Sequence, residues 1–166
     1  MTIPAQQMNI SGNNQSEVQI RTATRHDVPL ITMMTWEILV VTNRADRYRF
    51  EESLAGVQRI FSGNSQDLYI LATVGSRVIG QLKLARQYND LLMGDEAWIE
   101  HVFIHSEFRG RKIYDQLHAH AVALCQQWGA KRLSLHVVDT NERARRAYEK
   151  QGMLATGFWM TQSLEN

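Results

Sequence analysis

Apolar residues recur along this chain with two periods, and the switches between them divide it into elements. Val18–Thr22 (VQIRT) alternates apolar and polar side chains, the pattern of a half-buried strand. Ile31, Met34 and Ile38, with Met33 and Trp36 nearby, fall at helical spacing. They predict a helix from Thr24 or Asp27, either of which can cap it, to about Val41. Pro29 lies close enough to that start to be tolerated. Thr42–Ser53 (TNRADRYRFEES) reads as a charged connection, and Leu54, Val57, Ile60 and Phe61 as a second helix stopped by Ser62-Gly63-Asn64. Leu68–Thr73 (LYILAT) and Val78–Leu84 (VIGQLKL), joined through Val74-Gly75-Ser76-Arg77, predict a hairpin. Gln87–Glu96 reads as a polar loop and Ala97–Ile104 as a strand. Ile113, Leu117, Ala121, Leu124 and Trp128 mark a helix from Arg109 to about Trp128, with Gly129 as its cap. Leu133–Val138 is a further strand, and Asp139–Glu142 resembles a capping box leading into NERARRAYEKQ, which Gly152 ends. Met153–Leu164 reads as a last strand, kinked at Gly157. The predicted order is β-α-α-β-β-β-α-β-α-β, an α/β (α+β) mixed-sheet fold: a polar arm over residues 1–16, then one domain over residues 17–166.

A chain of 166 residues, 44% hydrophobic and 21% charged, can bury a core without disulfides or metals. Lys and Arg number 18 against 17 Asp and Glu, so the net charge of +1 advertises neither nucleic acid nor an anionic membrane. Any basic function is local. The single cysteine, Cys125, cannot form an intrachain disulfide and reads as a small buried hydrophobe. There is no run of about 18 apolar residues, and the first residues lack a basic region followed by an apolar one, so the expected location is cytoplasmic. His105, His118 and His120 make no convincing metal set, and no metal is expected.

The chemistry concentrates at Arg109-Gly110-Arg111-Lys112-Ile113-Tyr114. A strand running into a helix here presents free backbone N–H groups at the helix start, where the dipole favours anions. Three cations within four residues would oppose that dipole unless an anion sat between them, so the segment reads as a phosphate cradle. It is not a nucleotide P-loop, because no Gly-x-x-x-x-Gly-Lys-Ser/Thr occurs. Glu100 stands inside an apolar strand, where an unpaired carboxylate is costly, so it must face a cleft or a partner. His101 titrates near working pH and points to the opposite face unless the strand bulges.

Two motifs in this order resemble the Gcn5-related N-acetyltransferase (GNAT) superfamily. One is IEHVFIHSEFRGRKIYDQL, like that family's strand, Arg-Gly turn and helix. The other is Asn141-x-x-Ala144-x-x-x-Tyr148-x-x-x-Gly152-Met153, about thirty residues on with a strand between. Lys112 takes a familiar variant position of the family's Gly-rich turn, whereas Tyr114 stands where a small residue is usual; it would either pack beside a cofactor or intrude on it. The resemblance implies a sheet splayed in a V between residues 97–104 and 133–138, acetyl-CoA as co-substrate, and acetyl transfer to an amine. It further implies that Arg109, Gly110, Arg111, Lys112 and Ile113 hold the pyrophosphate, with Tyr114 among the cofactor-binding positions. Val102, Phe103 and Ile104 would offer main-chain groups to pantetheine, their side chains being plain core. Tyr148 would be the general acid, or merely a core anchor; Asn141 would touch the cofactor, or merely cap its helix. Glu100 is the first candidate for general base and His101 the second. The implied acceptor is a small-molecule amine held by Trp36, the Arg44–Phe50 segment and Phe158-Trp159. Acetylation of protein N-termini or lysines, a non-catalytic CoA-binding regulatory module, and a homodimer all stay open.

Overall fold

The structure, a computed structural model, describes residues 17–63, 65–162 and 164; the arm expected over residues 1–16 lies outside them. Five strands form one sheet in chain order: β1 (Val18–Thr22), β2 (Leu68–Val74), β3 (Arg77–Asn89), β4 (Gly94–Ile104) and β5 (Arg132–Leu135). The first three pairings are antiparallel, and β5 joins β4 in parallel through α3 (Ile113–Trp128). A parallel neighbour needs such a crossover. The remaining helices are α1 (Val28–Val41), α2 (Phe50–Ile60) and α4 (Glu142–Lys150).

Helices cover both faces of the sheet, which is why LYILAT is apolar nearly throughout rather than alternating. Ile70, Ala72, Leu82, Leu84, Ala97 and Ile99 pack against Ile113, Leu117, Ala121 and Cys125 of α3. The alternate residues Tyr69 and Leu71, with Val78 and Phe103, pack against Val28, Ile31 and Met34 of α1 and Val57 of α2. Cys125 is thus the buried hydrophobe its setting suggested. The entry to α1 is pinned by Asp27, whose carboxylate receives the Arg21 guanidinium at 2.7 and 2.8 Å and the Thr24 N–H at 2.8 Å. Arg21 first, then Thr24, hold that carboxyl down to about 2 against the opposing effect of burial.

Five boundaries depart from the sequence expectation. The polar loop expected over Gln87–Glu96 is mostly strand, and only Asp90–Met93 turn. Its polar residues satisfy one another across the ladder: Arg86 Nε donates to Asp95 at 2.7 Å, and Asn89 donates to Glu96 at 2.7 Å. The charged connection is partly helical, since α2 begins at Phe50. Phe50 packs edge-on against Trp36 at 5.6 Å, and Glu51 and Glu52 suit the dipole of the first turn. Helix α3 begins at Ile113, not Arg109, because Gly110 (φ 82°) and Lys112 (φ 58°) leave the helical region. The strand expected over Leu133–Val138 ends at Leu135. No strand forms over residues 153–162. Leu154, Phe158 and Met160, the apolar side of that stretch, lie almost wholly exposed, with no apolar surface of the sheet to fix a register.

Candidate active site

The strands part within β4. Its pairing with β5 stops at Ile99↔Leu135, while its pairing with β3 runs on to Ile104↔Gly80. From Glu100 onward the β5-facing edge of β4 has no strand partner, which is the expected splay. Below the fork Glu96 fastens the two strands. Its carboxylate, 2% exposed, accepts from Arg132 at 2.7 and 2.9 Å, Ser134 at 2.6 Å and Asn89 at 2.7 Å. Arg132 leads, and Ser134 and Asn89 add to it against burial, in bringing its pKa to about 2.

At the fork the strand bulges. His101 has φ 47°, and the register steps from Lys83↔Glu100 to Gln81↔Phe103, so His101 and Val102 together oppose Leu82. A left-handed histidine costs roughly 1–2 kcal/mol, which the surrounding ladder must hold. The bulge breaks the alternation and brings Glu100 and His101 to the α1/α2 face together. There Lys83 Nζ lies 2.8 Å from Glu100 and 3.0 Å from Asp67. Burial opposes the charge on Lys83, but the two carboxylates outweigh it and its pKa rises. His101 Nδ1 lies 3.1 Å from the hydroxyl of Tyr69, itself 1% exposed. Although His101 reaches solvent, the protein packed around it and then the charge of Lys83 lower its pKa, so the ring is neutral at neutral pH. Gln81 completes the group, donating to Thr35 of α1 at 3.0 Å.

Tyr69, Lys83, Gln81, Asp67 and Thr35 were not legible as site residues. The one available signal was a Lys and a Gln at alternate positions of the otherwise apolar run VIGQLKL. Beside them Arg59, Ser62, Ser65, Asp67 and Lys83 line a cavity of about 440 Å³.

On the opposite face lies the cradle. Among the described residues, no protein acceptor meets the backbone N–H groups of Gly110 to Asp115. Left-handed Gly110 and Lys112 within this turn give the concave arrangement of N–H groups that binds anions. A Cβ placed on Gly110 would meet no protein atom within 4 Å, so the turn has open space at that position. Its cations are not equivalent. Arg109 turns back to donate to the Ile104 carbonyl at 2.9 Å, and Arg111 lies over Phe108 at 5.3 Å, whereas Lys112 is exposed at the helix start.

Ile113 is buried in the α3 core rather than lining the opening, although its N–H remains in the cradle. Tyr114 neither lines the cradle nor intrudes on it. Its ring is 8% exposed beneath it, 5.2 Å from Tyr148 and 5.6 Å from His118, and its hydroxyl is buried without a partner. That burial, before any neighbouring charge, raises the pKa of Tyr114 far above the ordinary phenol value. Tyr148 packs half-buried on the same core, and burial raises its pKa above the ordinary phenol value. Val102 and Ile104 pack toward α3, and Phe103 toward α1 and α2. Asn141 caps α4, accepting from the Ala144 N–H at 3.2 Å. Of the expected acceptor side, Trp36 meets Phe50, and Trp159 reaches Trp98 at 5.9 Å and His136 at 5.6 Å.

A forked mixed sheet with an anion cradle behind one strand and titratable groups before it defines an acyl-transferase architecture. The chain belongs to the acetyltransferase (GNAT) family, which matches residues 33–153. A protein of Bacillus subtilis (strain 168) that carries the provisional name ribosomal protein bS18-alanine N-acetyltransferase is 40% identical over 64 residues. That stretch is 39% of this chain and spans 42% of the curated relative's length. The fold matches the crystal structure of a possible acetyltransferase from Clostridium difficile 630 with a TM-score of 0.78 at 21% identity, over 90% of this chain and 98% of that one. It also matches AAC(6')-Iy, solved with the bisubstrate analogue CoA-S-monomethyl-acetylneamine, with a TM-score of 0.75 at 15% identity, over 91% and 100% of the two chains.

Proposed function

We propose that the protein is an acetyl-CoA-dependent N-acetyltransferase that acetylates the primary amine of a small molecule. The observation that carries the reading is the bulge, which sets Glu100 and His101 together on the sheet face opposite the cradle, beside a cavity of small-molecule size. The cradle fits the co-substrate: its N–H groups lack protein acceptors and the space over Gly110 is open. The N–H groups from Gly110 to Ile113, with Arg109, Arg111 and Lys112, would hold the pyrophosphate. Main-chain groups of Val102, Phe103 and Ile104 on the free edge of β4 would align pantetheine, and an N–H there would polarise the acetyl carbonyl. Acetyl-CoA brings an activated thioester to this fork. Glu100 or His101 takes one proton from the substrate ammonium so that the free amine can attack, and Tyr148, whose pKa burial raises, gives its proton to the departing thiolate and regains one as the nitrogen sheds its second proton on becoming the amide. Asn141 serves as the cap of α4 and a cofactor contact together.

A second acceptor class is favoured by the relative named for alanine acetylation, whose likeness to this chain is local. On that reading the amine is a protein N-terminus. One experiment tests both. Thermal-shift titration with acetyl-CoA is followed by thiol release with spermidine, an aminoglycoside, an amino acid and a short peptide beginning with alanine. Acetylation of a small amine supports the first reading, and acetylation of the peptide alone replaces it with the second. Acetyl-CoA binding without turnover across the panel would make the protein a CoA-binding module.

A further inference from the structure

The cavity of about 440 Å³ beside the fork is lined by charges of both signs. One part of its lining is Lys83 of β3 with Asp67. Lys83 Nζ lies 3.0 Å from Asp67 and 2.8 Å from Glu100, so two carboxylates share one ammonium and a negative charge is left over. Such a group attracts a further ammonium, and Glu100 carries it up to the bulge. The other part is the end of α2 and the connection that follows. Arg59, in the last turn of α2, lines the cavity and has no ion-pair partner among the described residues. An arginine in a last turn ordinarily serves the helix dipole, but that end of α2 is already served. The Gln58 carbonyl accepts from the Phe61 N–H at 3.1 Å, the Arg59 carbonyl from the Ser62 hydroxyl at 2.7 Å, and the Phe61 carbonyl from Arg25 at 3.3 Å. The helix end amounts to about half a charge, less than the full charge on Arg59, so a positive excess remains. The two serines of the lining also differ. Ser62 spends its O–H on the Arg59 carbonyl, whereas the Ser65 oxygen accepts from the Asp67 N–H at 3.0 Å and its own O–H has no acceptor among the described residues.

We propose that the acceptor is a small primary amine that also bears an anionic group, such as a free amino acid, with that group held by Arg59 and the Ser65 hydroxyl and its ammonium drawn to Asp67 and Glu100. This rests on the proposed amine acetylation and names its substrate class. A guanidinium meets a carboxylate or a phosphonate through two parallel N–H groups, which a neutral amine cannot use. A polyamine or an aminoglycoside would set a second ammonium against Arg59, and a peptide beginning with alanine has an amide where the free amino acid has its carboxylate. The volume agrees, since 440 Å³ lies in the lower part of the range of roughly 300–1,000 Å³ for ligand pockets. Gly56, inside α2, lines the cavity as well; a glycine there costs helix stability and leaves that part of the wall without a side chain.

The test compares amines in pairs matched except for the anionic group: alanine with alaninamide, and aminoethylphosphonate with ethanolamine. In thiol-release assays of the full chain with acetyl-CoA, kcat/KM should favour the anionic member of at least one pair by about tenfold or more. Which pair shows it separates a carboxylate from a phosphonate. Arg59→Gln should erase the preference, raising KM for the anionic amine about tenfold more than KM for its neutral twin, and Arg59→Lys should restore part of it. Ser65→Ala should weaken the same amine several-fold. Equal or better use of both neutral twins by wild type would overturn the proposal. So would a preference that survives Arg59→Gln, or acetylation of the alanine-led peptide alone. Should no amine be acetylated, the functional reading fails, and calorimetric titration of alanine and aminoethylphosphonate into the CoA-loaded protein decides the site. Binding that Arg59→Gln abolishes upholds it; no binding to wild type, or binding that survives the substitution, overturns it.

Discussion

Gly110 offers the sharpest separation of backbone from ligand. Its φ is 82°, and a Cβ there meets no protein atom within 4 Å, so a side chain can be added at the cradle without striking the core. Asp and Asn both tolerate left-handed backbone better than other residues, so Gly110→Asp and Gly110→Asn should cost a similar amount, about 1 kcal/mol. That corresponds to a fall of about 2–4 °C in Tm. They differ in charge. A carboxylate about 5 Å from one phosphate charge is repelled by about 3 kcal/mol at an effective dielectric of about 20, and by about 1 kcal/mol with water-like screening. Gly110→Asp should therefore bind CoA about 5-fold to about 200-fold more weakly than Gly110→Asn. Calorimetric titration of CoA into wild type and both variants measures this, and raising the salt should narrow the gap. Equal affinities for all three proteins would mean that the phosphates do not sit on this turn.

Four other expectations concern residues whose geometry is as well defined. Folding lowers the Glu96 pKa from 4.5 to about 2, so its stabilisation is complete above about pH 4.5 and lost as the pH falls toward 2. Glu96→Gln should remove roughly 2–3 kcal/mol at pH 7 and flatten acid unfolding below pH 5; an acid transition like that of wild type in circular dichroism would exclude the clamp. Tyr148→Phe should lower kcat about 10-fold to 100-fold with little change in CoA affinity, and full turnover would remove the acid role. Lys83→Met strands the Glu100 and Asp67 carboxylates beside a methyl group. Urea unfolding should then show a loss of about 2–3 kcal/mol, and no loss would contradict the bridge. Lys112→Gly relieves a left-handed side chain at φ 58°. It should keep or raise Tm yet weaken CoA binding several-fold, and unchanged affinity would leave Lys112 without a role there.

The sequence by itself determined most of what is local. Periodicity placed α1, the hairpin turn at Gly75-Ser76, the apolar stripe of α3 and its Gly129 cap, because each depends on residues a few positions apart. Two short motifs located the cradle and α4, since N–H groups at a helix start and an Asn cap are also local. Tertiary structure decided the rest. Whether Gln87–Glu96 is loop or strand depended on Arg86, Asn89, Arg132 and Ser134 meeting Asp95 and Glu96 across strands. The apolar residues of 153–162 could not make a strand without a surface to bury them.

Tyr114, an oddity in the motif, resolved only when α4 brought Tyr148 over it and its ring went inward. The same holds at the fork. Alternation alone sets Glu100 and His101 on opposite faces of β4. One extra residue opposite Leu82 reverses that, and it joins them to Tyr69 and Lys83, 32 and 17 positions earlier in the chain. A bulge is a mismatch between two strands, and neither strand carries it in its own sequence.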